Sequence, residues 1–492
     1  MLPRILHNSL IYAVGSALNS LALIILMPYL VNALSSRDFG AWAIYEIVIL
    51  LLTMIILPGL DVGLMREYWY LETEDARRRL AGTVLLAVTG AGLFVTFSIA
   101  IVSAIPLVRE TVLTDLRLEI DTHLVMLVVM ISSAESVFNV FLTVFRIRER
   151  ALTFVTLSAG RMLFLVVGGV LGVRFFGGVT GALIGRMTAG FIWLVVAGIV
   201  ASELYSLRFE GKALWRCACY GFPLLPANMA SYVLLASDRY ILKMVYSLEI
   251  VAIYTFAYKL SSVLDTLVTR PFAIEWAPRR FKIATQPEPE ARYGQALILY
   301  LFVSCGSALA ILSATPWLYA IVAPAKYQDG QEVVPLLLLA YVIYGLSYPL
   351  NVGIMLRGKT GYLSLIGIAS AAACVALNVV LIPRFGMLGA AWATVLSYVV
   401  WTGGITAFSQ GLYRISYSAF PLALVCFGTA AGYLVLARFP GVFGSADSMM
   451  SFVARLGWVG VVIAALGYGL RDVLRGRTSA NGRAPQTASV ST

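Results

Sequence analysis

The chain has 492 residues, 60% of them hydrophobic and only 12% charged, with a formal net charge of +11 and a mean hydropathy of +0.87. Soluble globular domains carry about a quarter charged residues. Here apolar runs of membrane-spanning length recur along the whole sequence, which excludes a soluble enzyme and indicates an all-α, polytopic membrane protein. The ten-residue alternation of an outer-membrane barrel is absent.

The first stretch has one basic residue, then an apolar run too long for a signal peptide, and reads as a retained first span. In all, fourteen spans are predicted, centred near residues 20, 52, 92, 134, 165, 190, 230, 264, 306, 345, 373, 399, 428 and 462. Most of the lysines and arginines fall in the connections on one face, among them Arg77–Arg79, Arg146–Arg150 and Arg279–Lys282. The positive-inside bias therefore accounts for the net charge better than nucleic acid does, and places both termini in the cytoplasm. With two histidines and five cysteines scattered through apolar runs, no metal site, disulfide or cofactor is predicted.

The sequence also repeats. Residues 173–185, VRFFGGVTGALIG, resemble 383–393, PRFGMLGAAWA, and 38–46 resemble 250–259. At this constant offset spans 1–6 recur as spans 7–12. Six spans is an even number, so the two copies enter with the same orientation, a parallel-repeat design that handles substrate at the repeat interface. The predicted organisation is a lobe over 1–205, a second over 206–412, two added spans over 413–475, and a disordered cytoplasmic tail over 476–492.

Charges inside the spans are the candidate functional residues, since each costs roughly 2.5–3.5 kcal/mol at mid-helix while a large apolar residue returns only about 0.3–0.6. Span 1 offers Tyr12, Ser16 and Asn19 along one side, and span 7 offers Asn228 and Ser231. Span 8 carries Lys259, Ser262, Thr266 and Arg270 at helical spacing, a cationic stripe about 16 Å long if the helix is continuous, with Asp265 rotated roughly 120° away. Arg161, Arg186 and Lys259 lie about eight residues inside their spans, where substrate contact and structural pairing both fit. Glu135 and Asp265 lie near mid-span. They are candidates for H+ or Na+ coupling, or structural partners for Arg161 or Lys259. Glu46, Asp61, Asp238 and Arg239 are read within about two turns of a helix end, where snorkelling or a local ion pair also serves. Tyr12, Trp42, Tyr45, Tyr254, Tyr258 and Tyr344 suit stacking on sugar rings.

Three groups of motifs, in order, resemble polysaccharide repeat-unit flippases, the Wzx-like branch of the multidrug/oligosaccharidyl-lipid/polysaccharide exporter superfamily. They are SSRDFGAWAIYEIVILLL with LPGLDVGLMREY, then YGFPLLPANMASYVLLASDRYILKMVYSLEIVAIYTFAYKL, then RGKT with ALNVVLIPRFGMLGAAWATVLSY. The resemblance implies two six-helix lobes around a V-shaped cavity lined by spans 1, 2, 7 and 8. It implies a substrate of undecaprenyl-diphosphate-linked oligosaccharide, moved across the bacterial inner membrane for O-antigen, capsule or exopolysaccharide assembly, alongside a polymerase and a chain-length regulator. Arg239, Lys259 and Arg270 fall inside the matched stretches, whereas Arg161 and Arg186 are candidates on depth alone. A cation-coupled multidrug antiporter of the same superfamily is the alternative, and would need an acid-dominated cavity. A non-catalytic component of polysaccharide assembly is the other.

Overall fold

The structure is a computed structural model that describes residues 29–104, 122–322, 325–438 and 449–471. Among these residues there are helices and no strand.

In chain order the helices are α1 (Ser36–Ile56), α2 (Leu60–Tyr68), α3 (Glu74–Ala104), α4 (Thr122–Ile147), α5 (Ala151–Phe176), α6 (Gly178–Ala201) and α7 (Gly211–Gly221). They continue as α8 (Leu225–Val245), α9 (Leu248–Ser261), a π turn (Asp265–Thr269), α10 (Arg270–Ala284), α11 (Pro289–Val322), α12 (Val334–Leu350) and α13 (Val352–Leu356). The last are α14 (Gly361–Leu412), α15 (Ala419–Arg438) and α16 (Met449–Gly469).

Eleven elements among the described residues are long and apolar enough to cross a membrane. One of them, the 52-residue α14, breaks at Gly386, where φ is 56° and ψ −130°, and so holds two spans. Helix α8 is also long enough to span, at 21 residues, but Asn228, Asp238, Arg239 and Lys243 make it less apolar than the eleven. Spans 2 to 14 are thus all present, while the predicted span 1 lies outside the described residues, as do Tyr12, Ser16 and Asn19.

The repeat survives in three dimensions. Gly177 and Gly178 turn the chain from α5 into α6 with φ of 72° and 53°, and Gly386, with φ of 56°, makes the equivalent turn within α14. Only glycine enters that region without strain. Beyond the first turn, α5 and α6 approach until a Cβ on Gly172 would strike the carbonyl of Gly181, and one on Gly185 that of Gly168. Two glycines four residues apart on each helix make this contact, the small-residue packing used in membranes.

Helices α1 and α3–α6 pack together, as do α8, α9, α11, α12 and α14, with α15 and α16 on α11. The seam between the halves is α1 against α9, the two stretches that resemble each other in sequence. At the end where both begin, Gly40 lies directly on the backbone of Leu248. At the opposite end α2 crosses α7, and Gly59 and Gly63 fit against the backbones of Gly221 and Cys217.

Two sequence expectations change here. Span 2 is centred earlier than residue 52, because Ser35 caps α1 through its side chain and Pro58-Gly59 stops it, Gly59 being left-handed at φ 70°. And α2 and α7 are separate short helices that no span accounted for. Helix α7 is amphipathic, with Ala213, Cys217 and Gly221 buried and Lys212, Trp215 and Arg216 exposed.

Candidate functional site

Two sets of charged side chains face the seam. In the first half, α1, α4, α5 and α6 each contribute one charge. Arg186 pairs with Glu46 through Nη1 and donates from Nη2 to Glu135 Oε1 at 2.6 Å. Arg161 Nη2 reaches the same Glu135 oxygen at 2.9 Å, and its guanidinium lies over the Phe138 ring at 4.7 Å. Each is mostly enclosed, none more than 25% exposed in its side chain. The four formal charges cancel, as burial of ions in a low-dielectric interior requires. Glu135 is the hub, since both arginines use one of its oxygens.

Glu46 therefore sits at the middle of its helix. The earlier placement of α1 moves it there from the end where the sequence reading put it. Asp61 moves the other way, out of the span into α2. Its burial raises the carboxyl above its ordinary value despite the Val62 N–H and the Arg146 charge.

In the second half, Asp238 and Arg239 are deeply enclosed, with side-chain exposures of 2% and 5%, so neither snorkels. Asp238 Oδ2 accepts from the Tyr254 hydroxyl at 2.8 Å, and Oδ1 from the Arg239 backbone N–H at 2.7 Å. Arg239 Nη1 donates to the Leu235 carbonyl at 2.8 Å, and its guanidinium lies 4.1 Å from the Tyr258 ring centre, within cation–π range. The direct ion pair is loose, 3.9 Å.

Lys259 has no carboxylate within ion-pair distance among the described residues. The charges that act on it are those of Arg186, across the seam, and Arg239, both repulsive. Moreover, the Nε atoms of Arg186 and Arg239 are buried without an acceptor among the described residues. Two arginines, one from each half, thus keep a donor unfilled among the described residues, and Lys259 lies within electrostatic reach of both.

The predicted stripe on span 8 is broken by the π turn. Eleven α-helical residues would bring Arg270 to within about 20° of Lys259, but a π turn winds in one extra residue and sets the rest of the helix back by about 100°. Arg270 is turned off the Lys259 side by about 80°, and Asp265 comes round to meet it, with Arg270 Nε donating to Asp265 Oδ2 at 2.8 Å. Pro271 accounts for the turn, because proline has no N–H and its ring crowds the carbonyl four residues back.

The polar lining candidates divide. Ser262 bonds its own helix, at the Lys259 carbonyl; Thr266 is half-buried just inside the π turn, and Asn228 and Ser231 lie exposed along α8. Of the aromatics proposed for sugar stacking, four are packed away, Tyr344 is half-buried, and Tyr12 lies outside the described residues. Trp42, Tyr45, Tyr254 and Tyr258 are 8%, 6%, 0% and 4% exposed and belong to one core across the seam. Spans 2 and 8, two of the four that the resemblance has lining the cavity, are in contact with each other. Sequence reasoning missed Asn378, which is fully buried and donates to Ser237 Oγ at 3.1 Å. An amide inside the run VALNVVLI was the available signal.

The whole arrangement is two repeat halves with a charged seam and two appended helices. It superposes on the structure titled lipid II flippase MurJ, inward closed conformation, with a TM-score of 0.72 over 96% of this chain and 99% of that one, at 12% identity. It also matches a MATE in complex with MaD3S, with a TM-score of 0.53, 12% identity, 84% of this chain and 96% of that one. An outward-facing multidrug resistance MATE family transporter of the MOP superfamily gives a TM-score of 0.51 with the same identity and coverage. No curated protein matches the sequence. The family described as polysaccharide biosynthesis protein matches residues 5–283, more than half of the chain, and the protein belongs to that family.

Proposed function

We propose that this protein is a flippase for undecaprenyl-diphosphate-linked oligosaccharides in the bacterial inner membrane, working by alternating access between lobes 1–205 and 206–412. The observation that carries the reading is Lys259, which has no carboxylate within ion-pair distance among the described residues and lies within electrostatic reach of Arg186 and Arg239, each with an unfilled Nε donor. A diphosphate brings about two negative charges, and moving it through the membrane core is prohibitive without paired cations. A cation without a carboxylate partner is a poor way to stabilise a fold and a good way to receive such a group. The multidrug-antiporter reading is weaker, because Glu46 and Glu135 are each neutralised by an arginine.

Glu46 and Glu135 are the candidates for H+ or Na+ coupling, since a cation taken up there would free Arg186 or Arg161 for the substrate. Asp265, already bound to Arg270, is a further candidate, and Asp61, outside the spans, the weakest. Both termini are cytoplasmic in this scheme. The glycan passes on to a polymerase and chain-length regulator of O-antigen, capsule or exopolysaccharide assembly.

The test is deletion of the gene followed by analysis of extracted lipids. Complete lipid-linked repeat units should accumulate on the cytoplasmic leaflet, and a plasmid carrying Lys259→Ala should fail to clear them at wild-type expression. Accumulation of single units on the outer leaflet would point to a polymerase instead, and full clearance by Lys259→Ala would refute the cationic seam.

A further inference from the structure

The π turn at residues 265–269 is closed by the Arg270 N–H on the Asp265 carbonyl, and its side chains make the matching Asp265–Arg270 pair. In a continuous α-helix these two residues stand about 140° apart and cannot meet. The ion pair therefore needs the π winding. The α winding that separates them is the one that returns Arg270 to the Lys259 side.

We infer that Asp265 is an internal anion that competes with the substrate for Arg270, and that the π turn is the device by which they exchange. The inference rests on the diphosphate reading above. A diphosphate held by Lys259 draws Arg270 off Asp265, the turn rewinds as α-helix, and the cationic stripe becomes continuous.

Two features fit this exchange. The Arg270 side chain is 59% exposed and free to swing, whereas Asp265 is 13% exposed. Pro271 lacks an N–H in either winding, so rewinding loses no bond at that residue, and the crowding of its ring against the carbonyl four residues back is the cost that the bound diphosphate offsets.

The test uses the full chain in lipid nanodiscs with farnesyl diphosphate as the anionic probe and farnesol as control. Asp265→Asn is expected to bind the diphosphate about fivefold tighter, the scale of one half-exposed ion pair. Asp265→Asn with Arg270→Gln should bind no better than Arg270→Gln alone. An unchanged or weaker affinity in Asp265→Asn, or a gain that persists without Arg270, overturns the competition.

A ligand-free reading separates the switch from the substrate. With the exposed Cys219 and Cys426 replaced by serine, spin labels at Leu207→Cys and Phe281→Cys report the rotation of α10. Both Asp265→Asn and Arg270→Gln should shift that distance distribution by several ångströms, and an unshifted distribution in both overturns the winding change. A shift in a protein that binds no farnesyl diphosphate would defeat the diphosphate reading and leave the switch standing.

Discussion

The first half of the seam is neutral and the second is not. Glu46, Glu135, Arg161 and Arg186 close on one another with both carboxylates engaged. Opposite them Asp238 and Asp265 face Arg239, Lys259 and Arg270, and one positive charge is left over at Lys259. An ion pair in the interior is retained at a desolvation cost, and breaking it strands a charge. The neutral set therefore holds α1, α4, α5 and α6 in place, and the excess charge is what the proposed diphosphate substrate would meet.

The strongest way to break this comparison is Glu135→Ala. It leaves Arg161 without its carboxylate and Arg186 with Glu46 alone, and removal of one partner of a buried pair costs about 3–5 kcal/mol. We expect most of the protein to be lost from membranes, and the remainder to melt earlier in detergent. A Glu135→Ala protein that accumulates and melts like the wild type would show that the first-half charges are held by water rather than by each other. Asp238→Asn is the second-half counterpart with a smaller effect. It keeps the shape and one acceptor for the Tyr254 hydroxyl while removing the countercharge of Arg239, which retains the Leu235 carbonyl and the Tyr258 ring. Loss of a hydrogen bond to a charged group predicts roughly 1.5–3 kcal/mol, measured as the denaturant or thermal midpoint.

Much of this was legible in the sequence. Span number, the parallel repeat and the candidate charges come from hydropathy and a constant offset, because lipid leaves a helix few alternatives. Side-chain partners were less legible. Glu46 was misplaced because Ser35 and Pro58-Gly59 set the helix ends more strongly than the centre of the apolar run does. The stripe on span 8 failed for a local reason. A single Pro271 changed the winding by one residue, and helical arithmetic carries that error to every later position. The aromatics were misjudged because seam residues of a repeat pack on each other, which no single-helix pattern reports.

The smallest effect on stability should belong to Lys259→Met, and it is the sharpest test of the contrast. Methionine fills most of the same volume and removes a charge that has no carboxylate partner and two like-charged neighbours. Replacing an ion in the interior by an apolar residue of similar size is often neutral or stabilising, so the thermal midpoint should stay level or rise. Clearance of the lipid-linked units should nevertheless fall, since the cation least used by the fold is the one left for the substrate. Lys259→Arg, which keeps the charge, should recover part of the transport without altering the midpoint. If Lys259→Met lowers stability as Glu135→Ala does, Lys259 has a structural partner and the two halves of the seam are alike.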